Sequence, residues 1–102
     1  MELTITRTSP SDPDEPVVLE VIGPIDLSTR QTLIDAAVTA FLVSRILHLD
    51  ASGVDSIDAV GLEALIEIAT MAKREGATFE LTGRSPQVQQ ALERVGLGTA
   101  WP

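Results

Sequence analysis

Between residues 48 and 62 the chain gathers most of the side chains that could do chemistry: His48, the carboxylates of Asp50, Asp55 and Asp58, and the hydroxyls of Ser52 and Ser56. Three aspartates this close could suggest a divalent-cation site, which is built from carboxylate oxygens. Around a strand-to-helix turn, however, such aspartates serve more often as a helix cap and a turn. Ser52, in Ala51-Ser52-Gly53, reads as a turn residue that hydrogen-bonds locally, and Ser56 lies two residues before Asp58. Either hydroxyl could in principle accept a phosphate. His48 is the only histidine, flanked by Leu47 and Leu49, with no nucleophile or second ligand beside it in the sequence. No Walker glycine loop, no histidine–acid–nucleophile set, no metal-ligand cluster and no Gly-x-Gly-x-x-Gly occurs. The expectation is a protein that is not an enzyme and has no cofactor and no metal.

The elements that must position these residues are legible from periodicity. Residues 45–50 have strand character, and a helical pattern runs from about 59 to 75. Asp58 then falls at the N-cap, where its carboxylate accepts the free N–H groups of the first turn. Ala59 and Val60 take the first two helical positions, and Gly61 leaves room for another backbone to approach closely. Strands are expected at 2–7, 17–22, 45–50 and 77–82, with a Pro-, Ser- and acid-rich loop, expected to be mobile, at 8–16. Ser28-Thr29-Arg30-Gln31 reads as a capping box, with Ser28 as N-cap and Gln31 reaching back. The helix after it places Leu33, Ala36, Ala37, Ala40 and Phe41 at helical spacing. In the second helix Leu62, Leu65, Ile66, Ala69 and Ala72 share one face, opposite Glu63, Glu67, Lys73 and Arg74, and Gly76 stops it. Ser85-Pro86 starts a third helix that Gly96 ends.

The order is β-β-α-β-α-β-α, which implies mostly parallel strands joined by right-handed crossovers. Leu3, Ile5, Leu19, Val21, Leu47, Leu49, Phe79 and Leu81 fall on one parity, interleaved with Thr4, Thr6, Glu20, His48, Glu80 and Thr82. A parallel sheet covered on both faces would read as unbroken apolar runs. The alternation therefore predicts a four-stranded, mostly parallel sheet with helices mainly on one face. Val18, Ile22 and Ile46 on the open side offer a dimer or partner surface.

Composition narrows the function classes. One hundred and two residues make a single domain, 1–102, with a modest core. The net charge of −8, from 15 acids against 7 bases, argues against nucleic acid and against docking on anionic lipid. The absence of cysteine removes disulfides, thiolate metal sites and redox switches. With no signal-peptide pattern and no apolar run of ~18 residues, the sequence predicts a soluble cytoplasmic domain without membrane insertion. Trp101, beside the C-terminus, either caps the end of the core or frays.

Six segments, in order, carry a family resemblance: Gly23-Pro24-Ile25-Asp26-Leu27-Ser28, Leu49-Asp50-Ala51-Ser52-Gly53-Val54, Ile57-Asp58-Ala59-Val60-Gly61-Leu62, Lys73-Arg74-Glu75-Gly76-Ala77, Gly83-Arg84-Ser85-Pro86-Gln87-Val88 and Leu92-Glu93-Arg94-Val95-Gly96-Leu97. From residue 2 to about 97 the chain resembles the STAS domain, and within it the bacterial anti-sigma factor antagonists. The resemblance implies a βα fold with helices on one side. It also implies a partner, an anti-sigma factor of the ATP-binding kinase type, bound through the start of the second helix.

In the family the switch motif reads Asp-Ser-Ser/Thr-Gly-Leu, and the partner kinase phosphorylates the second hydroxyl residue. Here those positions are Ala59 and Val60, so the phosphoacceptor-equivalent residue cannot be phosphorylated. Family precedent speaks against Ser56 or Ser52 taking over. The resemblance further places the Gly23–Asp26 loop near the switch helix. Asp26, Ser28, Asp58, Ala59, Val60 and Gly61 are thus the expected partner-binding residues, with Leu62 assigned to the core. Two other family roles are open to a chain of this kind. One is the STAS subunit of an ABC-type lipid transporter. The other is a non-phosphorylatable scaffold in a signalling assembly, as a STAS homo- or hetero-oligomer.

Overall fold

Four strands lie in the order β1-β2-β3-β4, with β1 at Thr4–Thr8, β2 at Val17–Ile25, β3 at Ile46–Ile57 and β4 at Thr78–Arg84. The computed structural model describes residues 2–98. Trp101, a residue with a predicted role in the core or the fray, lies outside the described residues. β1 pairs antiparallel with β2, and β2–β3 and β3–β4 pair in parallel. Helices α1 (Arg30–Val43), α2 (Ala59–Arg74) and α3 (Pro86–Arg94) complete the expected β-β-α-β-α-β-α order.

The parity argument holds strand by strand. Leu19, Val21, Leu47, Leu49, Phe79 and Leu81 are buried in one core with the helices, while Leu3 and Ile5 pack partly against it. Thr4, Thr6, Glu20, Glu80 and Thr82 on the other face are exposed, and His48 is half-buried. His48 Nε2 lies 3.1 Å from Glu80 Oε2, its neighbour across the β3–β4 ladder. One face is dry and the other wet.

β2 and β3 run further than the sequence pattern suggests, to Ile25 and Ile57 rather than 22 and 50. The cause is a set of register shifts at Glu20/Ile22, Gly23/Pro24 and Leu49/Asp50. Each shift breaks the period-2 alternation that marks a strand, although the pairing continues through it. Ser52 therefore belongs to a strand irregularity and not to a turn: Asp50 Oδ1 accepts its N–H at 3.0 Å. The Ser52 hydroxyl first, and then its N–H, hold the Asp50 carboxyl below the ordinary aspartate value. Gly83 faces this carboxylate so closely that a Cβ there would collide with it.

The helix stops are as expected. Gly76 and Gly96 have positive φ, of 67° and 78°. Ala77 N–H donates to Ala72 O and Leu97 N–H to Leu92 O, both at 2.8 Å, the double-bonded ending that glycine favours. On α2 the buried stripe centres on Leu62, Leu65, Ile68 and Ala72, with Ile66 and Ala69 only partly covered. The difference arises because α2 touches both α1 and α3 as well as the sheet, so its covered face is wider than one stripe. The 8–16 loop is tied down at its end: the buried Ser44 hydroxyl lies 2.5 Å from Glu15 O and 3.0 Å from Pro13 O. Among the described residues, no helix is long and apolar enough to cross a membrane.

Candidate functional site

The ends of β2 and β3 bring the two expected loops together. Ile25 and Ile57 are register partners, and Asp58 N–H reaches Ile25 O at 3.4 Å. The chain leaves β2 into Asp26 and leaves β3 into Asp58. The two helix starts therefore sit side by side at the carboxyl ends of adjacent parallel strands, the usual location of sites in open α/β sheets.

Asp58 caps α2 as expected. Its Oδ1 accepts the Gly61 N–H at 2.7 Å, and its carbonyl accepts the Leu62 N–H at 2.9 Å. Asp58 and Ala59 are exposed, Val60 is half-buried, and Gly61 and Leu62 are buried. Gly61 does permit a close backbone approach, but the approaching backbone is the chain's own. A Cβ at this position would collide with the Ile25 carbonyl. The role of this glycine is to let the start of α2 press onto the end of β2.

The start of α1 differs from the capping box. The helix begins at Arg30 with Thr29 as N-cap, whose side chain makes no capping bond, and Gln31 bonds Asp35 at 2.8 Å. Asp26 does the work assigned to Ser28. Its Oδ1 accepts the Ser28 hydroxyl at 2.7 Å, the Ser28 N–H at 2.9 Å and the Thr29 N–H at 3.2 Å. Ser28 is thus a donor to this carboxylate instead of an acceptor for the helix. The Ser28 hydroxyl is drawn back to the carboxylate because charge-assisted bonds are the stronger ones, and the Arg30 N–H goes instead to Asp26 O at 2.9 Å. The Ser28 hydroxyl is the main influence on Asp26, holding its carboxyl below the ordinary value of 3.8. Desolvation is the next influence and opposes it, while the backbone N–H groups of Ser28 and Thr29 and the Thr29 hydroxyl add further lowering. Thr29 locks the loop from beneath: its buried hydroxyl donates to Pro24 O and accepts the Asp26 N–H, each at 2.9 Å.

Sequence reasoning missed Leu27. It stands between the two polar residues of this loop and is 71% exposed. The site thus presents two carboxylates, a serine hydroxyl engaged by one of them, and apolar surface from Leu27, Ala59 and part of Val60. Ser56, also exposed, lines a separate polar recess with Asp55, Gln87 and Arg94. Asp50 is bound to Ser52 and Asp58 caps α2. Among the described residues, no group of three or more histidine, aspartate or glutamate side chains is placed to hold a metal ion. The arrangement sets fixed charges beside exposed aliphatic groups on one surface.

Comparison with known proteins bears on what this surface serves. Residues 8–100 match the family model described as Mlab, STAS domain. Among solved structures, the chain is similar to an anti-sigma factor antagonist from Mycobacterium paratuberculosis at 25% identity and a TM-score of 0.79, over 99% of this chain and 84% of that one. It is also similar to the anti-sigma factor antagonist SpoIIAA in its unphosphorylated form, at 15% identity and a TM-score of 0.74, over 93% of this chain and 83% of that one. The phosphorylated form of SpoIIAA, a Bacillus cell fate determinant, gives 15% identity and a TM-score of 0.70, over 93% and 86%. At 15% identity the likeness to SpoIIAA is one of fold alone. No curated protein matches the chain.

Proposed function

Since this chain belongs to the STAS domain family, we propose that it is a regulatory binding protein of the anti-sigma factor antagonist type. It works in the cytoplasm, without catalysis, by holding an anti-sigma factor of the ATP-binding kinase type so that a sigma factor is freed. The observation that carries this reading is the pairing of the Asp26–Ser28 loop with the Asp58–Gly61 helix start on one surface. Asp26, Leu27, Ser28, Asp58, Ala59 and Val60 make the contact, and buried Gly61 sets its shape from below.

Val60 stands where relatives carry the hydroxyl that is modified. A phosphate there would add nearly two negative charges to a surface that already holds two carboxylates. Valine keeps the surface in its uncharged form, so binding is not switched off by the partner and is governed by expression level or by a competing protein.

The test is affinity capture from native extract with wild-type and Val60→Glu baits, bound proteins being identified by mass spectrometry. Wild type retains an ATP-binding anti-sigma protein. The added like charge lowers retention roughly tenfold or more, with the thermal midpoint nearly unchanged because the position is only half-buried. Equal retention by both baits would remove this surface from the interface. The family description names no sigma-factor regulator, which favours keeping a second reading, a STAS subunit packed on a transporter ATPase. Capture of an ATPase together with a permease would select it.

A further inference from the structure

α1 breaks a rule that α2 and α3 keep. A helix laid on one face of a sheet should turn polar side chains outward, as Glu63, Glu67, Lys73 and Arg74 do on α2. The outer side of α1 carries Gln31, Asp35 and Thr39 but, in its second half, also Val38 and Leu42, one turn apart, and Val43. Leu42 is 83% exposed, more than any other large aliphatic side chain among the described residues. Beside it, the far ends of α1 and α2 enclose a groove of about 280 Å³. Val38, Phe41, Met71, Ala77 and Leu42 itself line it, and Arg45 from the α1 side and Glu75 from the α2 side bring opposite charges to it. Neither charged side chain has an ion-pair or hydrogen-bond partner among the described residues. The groove lies where α1 and α2 end, whereas the candidate site lies where they begin.

We propose that a second copy of this chain docks here about a two-fold axis, each Leu42 entering the other copy's groove and each Arg45 facing the partner's Glu75. A two-fold contact requires one patch to be complementary to itself. This patch carries a protruding aliphatic group, an apolar groove beside it and one unpaired charge of each sign. A strongly basic or acidic foreign partner would call for a single sign. The net charge of −8 on each copy opposes association, but at 0.15 M salt its reach is about 8 Å. A patch this small makes a weak, reversible dimer rather than an obligate one. The open sheet face is the weaker candidate, because the His48–Glu80 pair and a row of threonines interrupt its aliphatic groups.

Sedimentation velocity from about 1 μM to about 1 mM, the range suited to a weak interface, tests the proposal at physiological salt. Wild type shifts from monomer to dimer as concentration rises, and Leu42→Glu stays monomeric with an unchanged circular dichroism spectrum. Arg45→Glu and Glu75→Arg each weaken self-association roughly tenfold or more, since like charges then face each other twice. Mixing these two variants restores association as a heterodimer, because every facing pair is again opposite in sign. Monomeric wild type at the highest concentration, a dimer that survives Leu42→Glu, or a mixture with no heterodimer would each overturn the two-fold docking. None of these outcomes depends on the identity of the partner at the opposite end.

Discussion

The Asp58 carboxylate accepts the Gly61 N–H at 2.7 Å, a bond that an asparagine carbonyl can also accept. Its negative charge is a separate property, and only the charge can be read by a partner at long range. Substitution divides the two roles. Asp58→Ala removes the cap and costs about 1 kcal/mol of stability, measurable by urea denaturation. Asp58→Asn keeps the midpoint near wild type yet reduces capture of the anti-sigma partner, if the exposed carboxylate contributes to recognition as proposed. An asparagine variant with full stability and full capture would leave Asp58 as a cap and nothing more. Asp58 was legible in the sequence because capping is a local event, decided within three residues. Ser28 fits the cap pattern locally but is not the cap, because the carboxylate of Asp26, two residues upstream, engages its hydroxyl and the helix begins one residue later, after Thr29. Leu27 could not be found this way at all. Whether an aliphatic loop residue is covered depends on which element passes over it, and no local rule records that.

Elements were legible where one physical pattern ran through them unbroken. α2 has an N-cap, an apolar stripe and a glycine stop, and these mark it nearly whole. Periodicity ends β3 early because its alternation fails at Asp50, where the ladder shifts register, and only the facing strands reveal that pairing resumes. The 8–16 loop has a composition that predicts mobility, and the side chain that its end hydrogen-bonds lies far along the chain. Ser44, 4% exposed, accepts the Ile46 N–H at 3.1 Å while its hydroxyl reaches the Pro13 and Glu15 carbonyls. Ser44→Ala takes this partner from the Glu15 carbonyl and the Ile46 N–H, at a cost of about 1–3 kcal/mol, while Pro13 O keeps the Arg45 N–H at 3.4 Å. Hydrogen–deuterium exchange over residues 9–16 should become faster in that variant, with exchange in α2 and α3 little altered. An unchanged rate in the loop would mean that its order is set elsewhere. Replacement of a single buried hydroxyl thus reports on a connection about thirty residues long, an element-scale effect with a residue-scale cause.

At the scale of the whole molecule the parallel strands impose a direction. Each crossover returns the chain to the same end of the sheet, so α1 and α2 begin together at one end and finish together at the other. With 14 residues in α1, the two ends stand about 20 Å apart. The first carries fixed carboxylates beside Leu27 and Val60, and the second the apolar groove beside Leu42. Sites separated by more than about 10 Å with no shared contacts behave additively. Val60→Glu should therefore self-associate with the wild-type constant, and Leu42→Glu should be retained by the anti-sigma partner as well as wild type. The double variant should show both losses, each of its single-variant size. If either substitution impaired both activities, the two ends would be coupled through α1 and α2, and a ligand at one end would regulate the other. If the losses stay separate, the fold is a two-ended adaptor: the dimer leaves both helix-start surfaces free, so a single assembly can hold two partners at once.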